Sequence, residues 1–349
     1  MHAQFSRPDT WKPATRRRIL SAGACGLLMI ALCGMVRGAF AGEAAQPFLG
    51  GWDLTIPGSG AGWLGVTEKE GQLQASILWG GGSVEPVTSA KVEDGKLVLT
   101  RVQRSSGTTR TTITSTITAQ AAGETLNLTI SETREGGAAG PKTEFTGKRT
   151  PPLPPAPDLS KVKFGAPIVV FDGKDLAGWR LTNPRQANGW SVQEGVLVNQ
   201  IAQAAGEPRK SFGNLRTERE FGDFNLTVEM RVPKRGNSGI YLRGIYEVQV
   251  SDSYGRPLDP HNMGAIYSRI CPTVAAEKPA GEWQTFDITL VDRHVTVILN
   301  GMKIIDNQPL LGCTGGALGS DQLREGPLYL QGDHTGIEYR NIVLRPVVK

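Results

Sequence analysis

The chain has 349 residues, enough for about two domains that each bury a core. Its formal net charge of +5 belongs entirely to residues 1–41, where Arg7, Lys12, Arg16, Arg17, Arg18 and Arg37 oppose the single acid Asp9; the rest of the chain holds 32 of the 38 basic residues and 32 of the 33 acidic ones. The basic character is therefore confined to one end, and no nucleic-acid or other polyanionic partner is implied.

Residues 1–41 read as a targeting leader. Arg16, Arg17 and Arg18 precede an apolar run from Ala22 to Val36, and Ala39-Phe40-Ala41 is a small-residue cleavage pattern. Signal peptide removal after Ala41 and export to the periplasm or the cell exterior are expected. Thr15 to Leu20 fits a twin-arginine signal, with an ordinary secretory signal as the alternative. The apolar run is short for a membrane span. Only Cys271 and Cys313 lie beyond the leader. In an oxidising compartment one disulfide and two free thiols both fit them.

The 44 Gly and 22 Pro of the chain point to many turns joining short elements. Residues 42–150 carry period-2 runs at 97–99, 111–117 and 126–130, separated by turn signals such as Asp94-Gly95 and Gly123. They read as a small antiparallel β-meander or barrel in which Trp52, Trp63 and Trp79 are core and rim residues. The segment has no histidine, and no chemistry is assigned to it. Five prolines between Pro151 and Pro157 favour an extended backbone, so residues 151–165 read as an interdomain linker.

Residues 166–349 return to strands with longer runs. Phe224, Leu226, Val228, Met230 and Val232 alternate with polar residues, and Asn300-Gly301 between two apolar runs is a strong hairpin signal. No stretch of ten residues shows helical periodicity. The expected architecture is all-β, a two-sheet jelly-roll sandwich.

Three segments of this second domain hold more polar residues than a sandwich needs. Gly236 to Gly244 is followed by Tyr246 to Asp252, where period 2 puts Glu247 and Gln249 on one face and Tyr246, Val248 and Val250 on the other. Tyr241 and Arg243 likewise oppose Ile240 and Leu242. If the two strands pair, Arg243 is expected beside Glu247 on the open face, where its guanidinium would hold a carboxylate or sugar oxygens; the alternative is a surface salt bridge. The second segment, Leu330 to Gly336, contains His334, with the adjacent Asp333 expected to point the other way along a strand. The third, Gly281 to Phe286, offers Glu282 and Trp283.

Phe171-Asp172-Gly173-Lys174-Asp175-Leu176-Ala177-Gly178-Trp179 resembles the opening signature of the 3-keto-disaccharide hydrolase family, also described as 3-keto-glucoside 1,2-lyase/3-keto-2-hydroxy-glucal hydratase domains. Segments 237–243, 246–249, 264–267, 279–283, 299–301, 330–334 and 339–342 match the remainder in order, so the resemblance covers about residues 166–346. Gln284 and Thr335 depart from the pattern, where the family usually has Asn and Gly; these changes touch substrate fit and remove no titratable group.

The resemblance implies a concanavalin-like jelly roll acting on an oxidised sugar glycoside. Its C3 ketone is made by a separate sugar 3-dehydrogenase, since this chain has no dinucleotide fingerprint. The ketone acidifies the C2 hydrogen; a base removes it, the glycosidic oxygen leaves C1, and water adds back. Glu247 and His334 are the candidate base and acid, in either order, with Arg243 and Arg340 as clamps for the enolate or hydroxyls. Asn237, Tyr241, Gln249, Asp252, Tyr267, Trp283 and Gln331 are candidate substrate contacts. A divalent metal serving as electrophile would draw on Glu247, Asp252 and His334. The competing readings are a non-catalytic carbohydrate-binding module, a structural cell-envelope protein, and a two-carboxylate glycoside hydrolase using Glu247 and Glu282.

Overall fold

The computed structural model describes residues 41–348 apart from 59, 105–110, 202 and 204–209, so the leader lies outside the described residues. Strands dominate, and the only helical turns among the described residues are Ala41–Ala45 and Gln46–Phe48.

The first module is one antiparallel sheet of nine strands. In spatial order they are Glu85–Pro86, Gln72–Leu78, Gly60–Lys69, Gly50–Ile56, Thr143–Arg149, Thr125–Arg134, Thr112–Ala122, Lys96–Arg104 and Ser89–Glu93. Alternation buries Leu97 and Leu99, Ile117 and Ala119, and Leu126 and Leu128 on one face together with Trp52, Leu54 and Leu64. The sheet curls around this core. Val87 donates its N–H to Ala75 O (2.9 Å) and Thr88 donates to Thr100 O (2.7 Å), so one short segment bonds to both ends of the sheet. The expected barrel is thus nearly closed, which leaves little unpaired edge.

The second module is a sandwich of two antiparallel sheets. The larger follows the order Trp190–Gln193, Val196–Asn199, Ile337–Val348, Phe224–Arg231, Gln284–Val291, His294–Leu299 and Met302–Pro309. Lys163–Phe164 and Ile168–Phe171 also pair with Ile337–Val348. The smaller sheet runs Trp179–Leu181, Leu215–Phe221, Gly326–Leu330, Asn237–Leu242 and Tyr246–Ser251. Between them lies an apolar core that includes Leu226, Val228, Phe286 and Ile288 from one sheet and Ile240, Leu242, Val248 and Leu330 from the other. This is the jelly-roll sandwich expected from periodicity. Asn300 and Gly301 both take positive φ (52° and 83°), the conformation the hairpin turn requires.

The proline-rich segment is not a free spacer. The Arg293 guanidinium donates to the carbonyls of Pro151 (2.9 Å) and Pro152, and Asn307 Nδ2 donates to Pro157 O (2.9 Å), which fastens the segment along the sandwich. Ala61 and Leu78 of the first module join the sandwich core, and Gln322 Nε2 donates to Asp53 Oδ1 (2.6 Å) across the join. Burial pushes the Asp53 carboxyl up to about 6, partly offset by the Gln322 and Thr150 hydrogen bonds. The described residues therefore form one compact unit. Cys271 is exposed and Cys313 buried, and both are free thiols.

Trp190 anchors the end of the sandwich beneath the Gly332 turn. It is buried, its indole N–H donates to Gly213 O (2.9 Å), and its ring stacks on Tyr339 at 6.3 Å between centroids. Trp190→Ala is expected to cost about 3–5 kcal/mol in urea unfolding, the usual range for a large core aromatic. A loss below about 1 kcal/mol would contradict its place in the core.

Candidate active site

The hairpin of the smaller sheet sets the site through its register. Tyr241 pairs with Glu247, Gly239 with Gln249 and Asn237 with Ser251, while Tyr329 of the next strand pairs with Tyr241. Ile240, Leu242, Val248 and Val250 take the side facing the other sheet. Alternation therefore puts Asn237, Gly239, Tyr241, Glu247, Gln249 and Tyr329 together on the opposite face, and Gln331, whose N–H donates to Gly239 O (2.9 Å), joins them.

Glu247 points away from the inter-sheet core, yet it is only 3% exposed. The segment around Thr314–Gly316 covers it: Glu247 N–H donates to Thr314 Oγ1 (2.9 Å). Gly315 O and Glu247 Oε2 both lie within reach of the Tyr241 hydroxyl, at 2.7 and 2.9 Å. That hydroxyl has one proton for two acceptors. A protonated Glu247 resolves the competition, because it donates to the hydroxyl while the hydroxyl donates to Gly315.

The electrostatics agree. Burial pushes the Glu247 carboxyl up to about 8; the Tyr241 hydrogen bond opposes this and the Asp333 carboxylate adds to it. Gly239 makes room, since a Cβ there would overlap Glu247 Oε1. Burial also holds the Tyr241 and Tyr329 hydroxyls in their neutral forms. Their rings stack at 4.1 Å and 13°.

Further polar groups gather on this face. The side-chain oxygens of Gln249 and Gln331 are buried without a hydrogen-bond partner, which leaves two acceptors in want of donors. Asn237 Oδ1 sits 3.3 Å from Gln249 Nε2 and so helps to orient that amide. Beyond Gln331 the strand gives way to a turn, and Asp333 Oδ1 reaches His334 Nδ1 at 2.6 Å. The expectation that these neighbours point apart fails because they are not in a strand. The bond to Asp333 raises the His334 pKa against the effect of burial. Burial likewise opposes, but does not overcome, the hydrogen bond from His334 that holds the Asp333 carboxyl low. Asn214 braces the group, donating to the Tyr329 hydroxyl (2.9 Å) and accepting from Gly332 N–H (2.7 Å).

Several expected participants lie elsewhere. Arg243 falls in the turn after Leu242 with positive φ (53°); its guanidinium donates to Gln322 O (2.5 Å) and lies 4.0 Å from Asp223, because the register gives the place opposite Glu247 to Tyr241. Arg340 and Trp283 meet on the outside of the larger sheet. There Arg340 stacks on Trp283 at 4.0 Å and donates to Glu229 (2.7 Å), since its neighbour Tyr339 takes the core side. Asp252 accepts Arg235 N–H (2.8 Å) beyond the strand end. Tyr267 donates its N–H to Glu247 O (3.0 Å) while its ring lies against His261. Glu282 is exposed in the turn leading into the other sheet, so it makes no carboxylate pair with Glu247. Glu247, Asp252 and His334 do not gather as ligands, and among the described residues no three His, Cys, Asp or Glu side chains converge. Tyr329 and Asn214 are the residues that sequence reasoning missed, and Asp333 the one it turned the wrong way. The alternation Leu328-Tyr329-Leu330-Gln331 carried the signal for Tyr329.

The chain belongs to the 3-keto-alpha-glucoside-1,2-lyase-like domain family, whose model matches residues 166–345. A 3-keto-disaccharide hydrolase from Bacteroides thetaiotaomicron is 29% identical over 166 residues, 40% of this chain, and the match spans 57% of that relative's length. Two solved proteins of Parabacteroides distasonis, described as glycosyl hydrolases, are also similar. One is 32% identical, with 57% of this chain and 94% of the other covered at a TM-score of 0.43. The second is 20% identical, with 52% and 95% covered at a TM-score of 0.43.

A carboxyl whose folded pKa is raised holds a proton that the unfolded chain releases. Its contribution to stability is thus fully present below the ordinary carboxyl value of 4.5 and is lost as pH rises toward and through about 8. Glu247→Gln removes that dependence. The variant is expected to melt higher than the parent at about pH 8.5, with the gap closing toward about pH 5; a gap that does not change with pH would contradict the protonated, buried carboxyl.

Proposed function

We propose that this chain cleaves glycosides oxidised to a ketone at C3, by elimination and rehydration rather than by direct displacement at C1. The observation that carries the reading is the proton-holding Glu247 on one sheet face with two unpartnered amide acceptors and the Asp333–His334 pair. The family description and the name of the Bacteroides relative support the substrate class. A separate dehydrogenase supplies the ketone.

The residues divide the work as follows. Asp333 holds the Nδ1 proton of His334, leaving Nε2 free to take the C2 hydrogen, made acidic by the neighbouring ketone. The electron pair moves onto the C3 oxygen. Tyr329 accepts from Asn214 and keeps a proton of its own to donate, which suits it to that developing charge. As the enolate collapses, the C1–O bond breaks and Glu247 protonates the leaving oxygen. The ionised Glu247 then takes a proton from water as it adds to C1, and His334 returns a proton to C2. Gln249 and Gln331 accept from ring hydroxyls throughout.

Incubation of the purified protein with a 3-keto disaccharide and with its unoxidised parent tests the reading. Only the keto substrate is expected to be cleaved, and Glu247→Gln and His334→Ala should each lower turnover by at least about a hundredfold, the lower end for a general acid or base. The rate should decline on the alkaline side near pH 8, as Glu247 loses its proton. Equal cleavage of both sugars would contradict the elimination route.

A further inference from the structure

A second constellation, where the two modules meet, gathers a nucleophile, a base and an orienting acid. Ser83 Oγ lies 2.9 Å from His261 Nε2. His261 Nδ1 lies 2.6 Å from Asp259 Oδ1, which also accepts the His261 backbone N–H at 2.9 Å. With Nδ1–H donating to the carboxylate, Nε2 is the acceptor for the serine hydroxyl, the tautomer that nucleophilic catalysis needs. The Asp259 carboxyl is held below its usual range by its hydrogen bonds to His261 and stays ionised.

Ser83 comes from the first module, and His261 and Asp259 from the sandwich. The join is fixed beside them by Val84 N–H donating to Ser268 Oγ (2.9 Å) and by Gly316 N–H donating to Gly80 O (3.2 Å). Ser83 follows three glycines, of which Gly80 and Gly82 take positive φ (75° and 78°). The N–H groups of Gly81, Gly82 and Ser83 have no acceptor among the described residues. Backbone N–H groups beside a nucleophile are the kind of donor an oxyanion needs. The His261 side chain is 41% exposed and Ser83 partly exposed, so a carbonyl can approach Oγ from solvent.

We infer that Ser83, His261 and Asp259 form a second active site, a serine hydrolase centre for short-chain carboxylic esters, complete only when both modules are docked. The Tyr267 ring lies 5.0 Å from His261 and glycines precede Ser83, which suits a short acyl group on a polar alcohol rather than a lipid chain. Ser83 Oγ adds to the ester carbonyl as its proton passes to Nε2; the C–O ester bond breaks and the alcohol leaves with that proton. Water, giving a proton to Nε2, then adds to the acyl carbon, the bond to Oγ breaks, and the proton returns to Ser83 as the carboxylic acid departs. This centre operates whether or not Glu247 acts on 3-keto glycosides.

The test is a fluorophosphonate probe on the purified full chain, with the adduct located by peptide mass mapping, alongside hydrolysis of p-nitrophenyl acetate. One adduct on Ser83 is expected in the parent and none in His261→Ala. Ester hydrolysis should fall at least about a hundredfold in Ser83→Ala and in His261→Ala. Labelling of the parent does not depend on how well any variant folds. Absence of an adduct on Ser83, under conditions that label a control serine hydrolase fully, would overturn the proposal, as would ester hydrolysis unchanged in Ser83→Ala.

Discussion

The burial of one carboxyl organises the candidate site. Glu247 lies on a sheet face that would ordinarily meet water, and the segment carrying Thr314 and Gly315 shuts water out. Desolvation disfavours the charged form, so the group keeps its proton. The neighbours follow from that choice. Gly239 is a glycine because any side chain would displace the carboxyl, and the Tyr241 hydroxyl donates a hydrogen bond to Gly315 O. A carboxyl held this way costs stability at neutral pH, the familiar exchange of stability for a reactive group.

The covering segment is backed in turn by the first module. Gly312 lies against the Trp63 ring and Gly315 against the Gly82 backbone, both too close for a Cβ, and Gln322 is tied to Asp53. The residues outside the family match thus supply contacts that hold the lid of the site in place. The stretch with five prolines reads as an extended interdomain linker, but Arg293 and Asn307 fasten its carbonyls to the sandwich.

Much of the fold was legible because period-2 alternation reports directly which face of a strand is buried. Phe224 to Arg231 and the Asn300-Gly301 turn behave as the pattern demands. The same alternation placed Glu247 and Gln249 correctly on one face. It failed wherever pairing register or strand ends decide the outcome, since neither is a local property. Arg243 looked like a partner for Glu247, but the strand ends at Leu242 and Arg243 opens the turn. Asp333 and His334 meet because the strand has already ended, and Arg340 sits outside because Tyr339 claims the core. Asn214 and Ser83 reach their partners over 115 and 178 residues, beyond any sequence pattern.

The proposed route begins with loss of the C2 proton, and a substrate deuterated at C2 tests that step. Turnover of a 3-keto disaccharide carrying that label should be slowed or accompanied by washout of deuterium into solvent, because the proton His334 returns to C2 exchanges with water. Full retention of the label at C2 in the released sugar, with no change in rate, would contradict the account and point instead to displacement at C1.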